Sequence, residues 1–218
     1  MPRTITVKGV GKVVSPVDYV EISMTITNTD KDYAKACELT DNAYLKLKNT
    51  VVRSGFEERS LKTTNYNVHA EYSGSHNAEG KYIKEFIGFN CTHSLKLSFS
   101  FSNELLSKAV NALLSSLASP DIDIRFTVEN KDKLKAAILR SAAASAKENA
   151  LTLCEASDVK LGSLLSVTYS DDDMNVYSTT SSRFMANGTE GAVACASLEV
   201  NPDDVVTKDT VTFVWEIA

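Results

Sequence analysis

The stretch Glu85 to Phe101 reads EFIGFNCTHSLKLSFSF and sets Cys91 and His93 two residues apart. Thiol and imidazole are good metal ligands, and together they can form a nucleophile with its base. That chemistry needs the two groups within hydrogen-bond reach and a third group to orient the base. Neighbours at i and i+2 on one strand face lie about 6.5–7 Å apart at Cα, so the pair could meet only through chosen rotamers, and no third group is evident. The residues favour a small buried thiol and a histidine bonded to backbone or to a neighbouring side chain. A thiol-dependent or small-molecule-processing enzyme using Cys91 and His93 is the competing reading. It requires a solvent-reachable, low-pKa thiol.

Other candidates carry less. His69 with Glu71 could make a weak surface metal site, but an exposed polar strand face explains them as well; His76 falls at a hairpin tip, facing solvent. Gly9-Val10-Gly11-Lys12 resembles part of a phosphate loop, yet Thr6 stands where the first glycine should be and Val13 where the hydroxyl should be. A strand and Pro16 follow instead of a helix N-terminus, so these glycines are read as easing a strand bend or bulge. The run Asp171-Asp172-Asp173 lacks the alternating ligands and distal Glu of a calcium loop. No G-x-S-x-G elbow or S-x-x-K motif occurs. No catalytic, cofactor-binding or metal-ligating residue is assigned, and no cofactor is expected.

Composition narrows the classes. With 218 residues the chain can bury a core without disulfides or metals. Lys and Arg number 23 against 28 Asp and Glu, a formal charge of -5 and a pI near 5.3, with both signs interspersed. A nucleic-acid binder usually shows a basic face, and none is visible, so no nucleic-acid partner is expected. No segment approaches the roughly 20 apolar residues that span a bilayer. The opening MPRTITVKGV enters an alternating pattern directly, without a signal-peptide core, and a cytoplasmic protein is expected. Cys37, Cys91, Cys154 and Cys195 show no zinc spacing and are read as reduced. Asn90-Cys91-Thr92 and Asn187-Gly188-Thr189 match the glycosylation sequon by chance.

The elements that position these residues follow from periodicity. Thr4 to Val14 and Val17 to Thr27 alternate with period two, with Ser15-Pro16 between them, which predicts two strands in a hairpin. Thr29 or Asp30 is expected to cap a helix with the stripe Tyr33, Cys37, Thr40, Tyr44, Leu47, Val51, closed by Gly55. Two long strands follow, about Ser60 to Tyr72 and Tyr82 to Phe101. The first turns Tyr66, Val68, Ala70 and Tyr72 to its apolar side. The second turns Ile83, Ile87, Phe89, Cys91, His93, Leu95, Leu97, Phe99 and Phe101 to one layer. Strict alternation then puts Cys91 and His93 inside and His69 on the opposite side of the sheet.

Ser102 or Asn103 begins a helix with the stripe Leu106, Val110, Leu113, Leu117, and Pro120 lies beyond it. Asp121 to Glu129 is a strand burying Ile122, Ile124, Phe126 and Val128. Asn130 starts the longest helix, to about Ser157, whose face of Ala142, Ala146 and Ala150 can approach a sheet or helix closely. Leu161 to Ser170 is a strand, and 171–190 is polar and aperiodic, a loop that is mobile or ordered by a partner. Two closing strands, Ala192 to Val200 and Val205 to Ile217, flank Asn201-Pro202-Asp203-Asp204. The order β-β-α-β-β-α-β-α-β-β-β, rich in hairpins, is α+β with mainly antiparallel sheets and three helices packed on one side.

Several stretches in order, ITVKGVGKVVSPVDYVEISMTI, LKTTNYNVHAEYS, YIKEFIGFNCTHSLKLSF, LCEASDVKLGSLLSV and NPDDVVTKDTVTFVWEI, resemble SIMPL-domain proteins, a family of unknown function. The resemblance covers almost the whole chain and implies a single SIMPL-like domain over 1–218, with 1–101 (ββαββ) and 102–218 (αβαβββ) as candidate subdomains. It implies large, ring-like homo-oligomers. Bacterial relatives include a periplasmic immunogenic protein and one linked to oxidative-stress tolerance, and a eukaryotic namesake is a kinase-associated adaptor. The family supplies no catalytic residues to carry over. Ser157-Asp158 replaces the glycine common before V-K-L-G in the family. The function expected is non-enzymatic, through homo-oligomeric assembly or an unknown protein partner, with a stress role implied by the relatives; a small-ligand-binding module is a further alternative.

Overall fold

A computed structural model describes residues 3–76, 82–116, 118, 120–170, 174–184 and 198–218. Alternating side chains build β1 (Thr4–Ser15) and β2 (Tyr19–Asp30), as their period requires. They do not form the expected hairpin. β1 pairs antiparallel with β8 (Val205–Ile217) from Thr4↔Glu216 to Ser15↔Val205, and β2 pairs antiparallel with β4 (Tyr82–Ser100) from Tyr19↔Ser100 to Asp30↔Phe89. Alternation specifies which residues share a face but not which strand lies alongside. The chain leaves β1 through Pro16 and enters the other of two compact units.

The remaining elements are α1 (Tyr33–Arg53), a 3-10 turn at Glu58–Ser60, β3 (Leu61–His76), α2 (Asn103–Ser115), β5 (Asp121–Thr127), α3 (Lys131–Ala156), β6 (Leu161–Thr168) and β7 (Tyr177–Phe184). Among the described residues, three helices and eight strands in the expected order make the class α+β, with sheets ordered β1-β8-β6 and β3-β4-β2-β5-β7. The first unit gathers residues 1–17, 127–179 and 202–218, and the second 18–126 and 180–201. The two units are interleaved along the chain.

In the first unit α3 lies against β1 and β8. Ala142, Ala146 and Ala150 are fully buried with Val7, Val211, Phe213 and Trp215, the last two rings stacked at 5.4 Å. Gly9 and Gly11 are not at a bend or bulge, because the β1–β8 register runs unbroken through them. Their reason is the helix. A Cβ at Gly9 would strike the Ala142 carbonyl and lie 2.7 Å from Ala146 Cβ, and one at Gly11 would strike the Ile138 carbonyl. A second cluster in this unit joins Val128, Leu134, Ile138, Val176 and Val205, with Met174 and Tyr177 against it.

In the second unit α1 packs on β2 and β4, with α2 beside it. The helix buries Ala36, Thr40, Leu47 and Val51 over a layer of Val20, Ile22, Met24, Ile26, Leu95 and Leu97. Thr40 tolerates that position because its Oγ1 donates to the Ala36 carbonyl at 3.0 Å and accepts from Asn28 Nδ2 at 3.2 Å. The N-cap is Asp32 and not Thr29 or Asp30, since β2 runs on through Asp30; Asp32 accepts from the Lys35 N–H at 2.9 Å. Gly55, at φ +88°, ends the helix in a Schellman arrangement, with Gly55 N–H to Val52 O and Phe56 N–H to Val51 O. Ser102 caps α2 and Asn130 caps α3.

Two expectations near the C-terminal third are corrected. The stretch 171–190 contains β7, whose Ser/Thr sequence lacks an apolar face and so leaves no alternating signal. It is tied down locally, with Thr127 Oγ1 donating to Val176 O and Thr179 Oγ1 to Asp203 Oδ2. The strand expected over Ala192–Val200 lies outside the described residues as far as 197. Leu198–Val200 is not a strand but is bonded to α2, through Ser107 Oγ at 3.0 Å from the Leu198 N–H and Asn103 Oδ1 at 2.9 Å from the Val200 N–H.

Candidate functional site

β4 delivers Cys91 and His93 to the buried side beneath α1, where alternation placed them. Register brings Tyr66 opposite His93 and Val68 opposite Cys91, so β3 turns its apolar side to the same layer. A one-residue register shift between Thr63 and Asn65 adjusts the phase at the base of β3. The expected layer does not run the whole length of β4. From Phe89 to Phe99 the odd-numbered side chains are buried or half-buried, but Ile83 and Ile87 are exposed. The register slips between Glu71↔Gly88 and Tyr72↔Phe86, so Phe86 takes the helix-side position in place of Ile87.

The thiol and imidazole do not engage each other. Cys91, wholly buried, donates its S–H to Tyr66 Oη at 3.3 Å, and Tyr66 in turn donates to Asp41 Oδ1 on α1 at 3.4 Å. The thiol's partner is a phenol, neither a cation nor a helix N-terminus. The hydrogen bond with Cys91, then burial and the Asp41 charge, raise the Tyr66 phenol well above its usual range. It stays protonated, as its donor role requires.

His93 is 6% exposed. Its Nε2 lies 2.9 Å from Thr63 Oγ1, and its ring sits between Tyr44 at 4.8 Å and Tyr66 at 5.1 Å. Nδ1 is buried with no hydrogen-bond partner among the described residues. Burial lowers the imidazole pKa, against an opposing pull from Asp41, so the ring is neutral at neutral pH. The cheaper tautomer keeps the hydrogen on Nε2, since an unmet lone pair costs less than a buried unpaired N–H. The cluster is thus a set of polar groups between a helix and a sheet, each residue with at least one partner and His93 Nδ1 left over: the arrangement can hold α1 in register, and thiol and imidazole bond to Tyr66 and Thr63, not to each other.

Sequence reasoning found Cys91 and His93 but missed Thr63, Tyr66 and Asp41 as their partners. Tyr66 carried a signal, its place on the apolar side of β3; Asp41 and Thr63 carried none. His69 lies on the other side of the sheet, with Nδ1 3.4 Å from Asn67 Nδ2, while Glu71 accepts from Asn90 Nδ2 at 3.2 Å. No group of three His, Cys, Asp or Glu that could hold a metal occurs among the described residues. Gly9 to Lys12 is extended strand under α3 and forms no phosphate cradle. Asp171–Asp173 and the His76 side chain lie outside the described residues.

With the two sheets, α1–α3 and this polar cluster in place, the class is α+β. The chain belongs to the SIMPL family, proteins of unknown function (DUF541), whose model matches residues 5–215. No curated protein matches it. No described helix is long and apolar enough to cross a membrane.

Proposed function

We propose that this SIMPL-domain chain acts through self-association and not through catalysis. The observation that carries the reading is β6, an edge strand of the β1-β8-β6 sheet. Leu164, Leu165 and Val167 stand 51%, 49% and 49% exposed on it. Leu164 and Val167 pair with Trp215 and Phe213 of β8, so they extend the helix-covered side of the sheet, and α3 leaves them bare. An apolar edge strand with open backbone groups is an association surface, and monomeric proteins usually blunt such edges with charge or proline. β6 contains neither between Leu161 and Thr168.

The test is multi-angle light scattering on the purified chain from about 1 to 50 μM. A mass that is a multiple of 23.7 kDa is expected. A monodisperse monomer throughout that range would overturn the proposal.

A further inference from the structure

Pairing of β2 with β4 ends at Asp30↔Phe89, whereas β3 and β4 continue as far as His76↔Tyr82. Past Phe89 the sheet therefore narrows to a two-stranded arm, Tyr72–His76 against Tyr82–Phe86. A two-stranded ribbon alone in water is marginally stable. This one carries an apolar side that no described element of its own unit covers.

Four rings run along the helix side of the arm in successive edge-to-face contacts: Tyr33 to Phe89 at 5.5 Å, Phe89 to Phe86 at 5.3 Å, and Phe86 to Tyr72 at 5.6 Å. Nearer the tip, Tyr82 lies over Gly74, where any Cβ would collide with its ring. Tyr33, Tyr72 and Phe86 are 55%, 56% and 40% exposed. The register slip at Ile87 is what makes the row continuous. Without it Phe86 would face the opposite side and the row would stop at Phe89.

We propose that this aromatic row is the contact with a second copy of the chain, two arms lying antiparallel about a two-fold axis so that each tip covers the other's base. The inference rests on the self-association reading above and adds to the β6 edge a second, separate surface. Charge selects the partner and its direction. By alternation Lys84 shares the aromatic side of the tip with Phe86, while Glu85 faces away. At the base, the stretch from Asp30 through the first turns of α1 holds Asp30, Asp32 and Glu38 against Lys31 and Lys35, and Lys35 is already held by Asp30 at 3.2 Å. An antiparallel two-fold arrangement sets a basic tip on an acidic base twice; a parallel one would set Lys84 on Lys84. A surface self-complementary in this sense is what an isologous interface requires.

The experiment compares the full chain with Tyr72→Ser/Phe86→Ser, with Lys84→Glu and with Lys84→Glu/Glu38→Lys by sedimentation velocity at 50 mM salt. The double aromatic variant is expected to weaken the arm-to-arm contact at least tenfold, the single charge reversal to weaken it less, and the compensated pair to recover. In parallel, hydrogen exchange of the wild-type amides at 70–76 and 82–88 should slow as protein concentration rises, a readout independent of how the variants fold. A wild-type oligomer that the aromatic variant leaves intact, with exchange in the arm insensitive to concentration, overturns the arm as the interface while self-association stands. A wild-type monomer overturns both.

Discussion

Where α3 crosses β1, the helix presents Ala142, Ala146 and Ala150 and the strand presents Gly9 and Gly11; where α1 crosses β2 and β4, the buried layer is Ile22, Met24, Ile26, Leu47, Leu95 and Leu97. The first seam gains its contact by bringing backbones together until no Cβ fits, and the second by interlocking large side chains. Both exclude water. They differ in what they cannot accept: the small-residue seam has no room for added atoms, and the large-residue seam has no way to fill removed ones.

That contrast can be broken by substitution. Leu97→Ala in the large-residue seam should cost about 2–5 kcal/mol through lost burial and the cavity left behind, measured by urea denaturation. Gly9→Val in the small-residue seam should cost about 1–3 kcal/mol or more, because the carbonyl of Ala142 is backbone and can move only with its helix. If Gly9→Val proved neutral while Leu97→Ala did not, the account of close approach would be wrong. Ser102→Ala, removing the cap on α2 outside either seam, should cost about 1 kcal/mol by the same assay.

A fourth and smaller effect sharpens the picture of the α1 seam. His93 has a lowered pKa in the folded chain, so below the unfolded value near 6.5 the unfolded state takes up the proton first. Stability should therefore fall as pH drops from about 7 toward 5, and His93→Gln should flatten the fall in melting temperature over that window. Asp30 titrates lower still, since the Asp32 N–H holds its carboxylate below the usual range, and does not enter the window. An unchanged slope in the variant would remove His93 as its source.

Most of the strands, the helices α1–α3 and the element order were legible from period because this depends on neighbours one to four residues away, whereas the α1 cap fell on Asp32 instead of Thr29 or Asp30. The facing of Cys91 and His93 was legible for the same reason. What could not be read were choices made at long sequence separation: that β1 lies beside β8 rather than β2, that Gly9 and Gly11 answer to Ala142 and Ile138, and that Tyr66 and Asp41 complete the thiol's contacts. β7 escaped because its strand has no apolar side to alternate.

β4 holds the distinction within one element. Its odd residues from Phe89 to Phe99 are hidden and its Ile83 and Ile87 are not, though the alternating pattern runs through both. Local covalent geometry decides which side chains point the same way. Whether that side is buried depends on a second layer arriving over it, and α1 begins at Tyr33, beside Phe89, leaving the arm beyond uncovered.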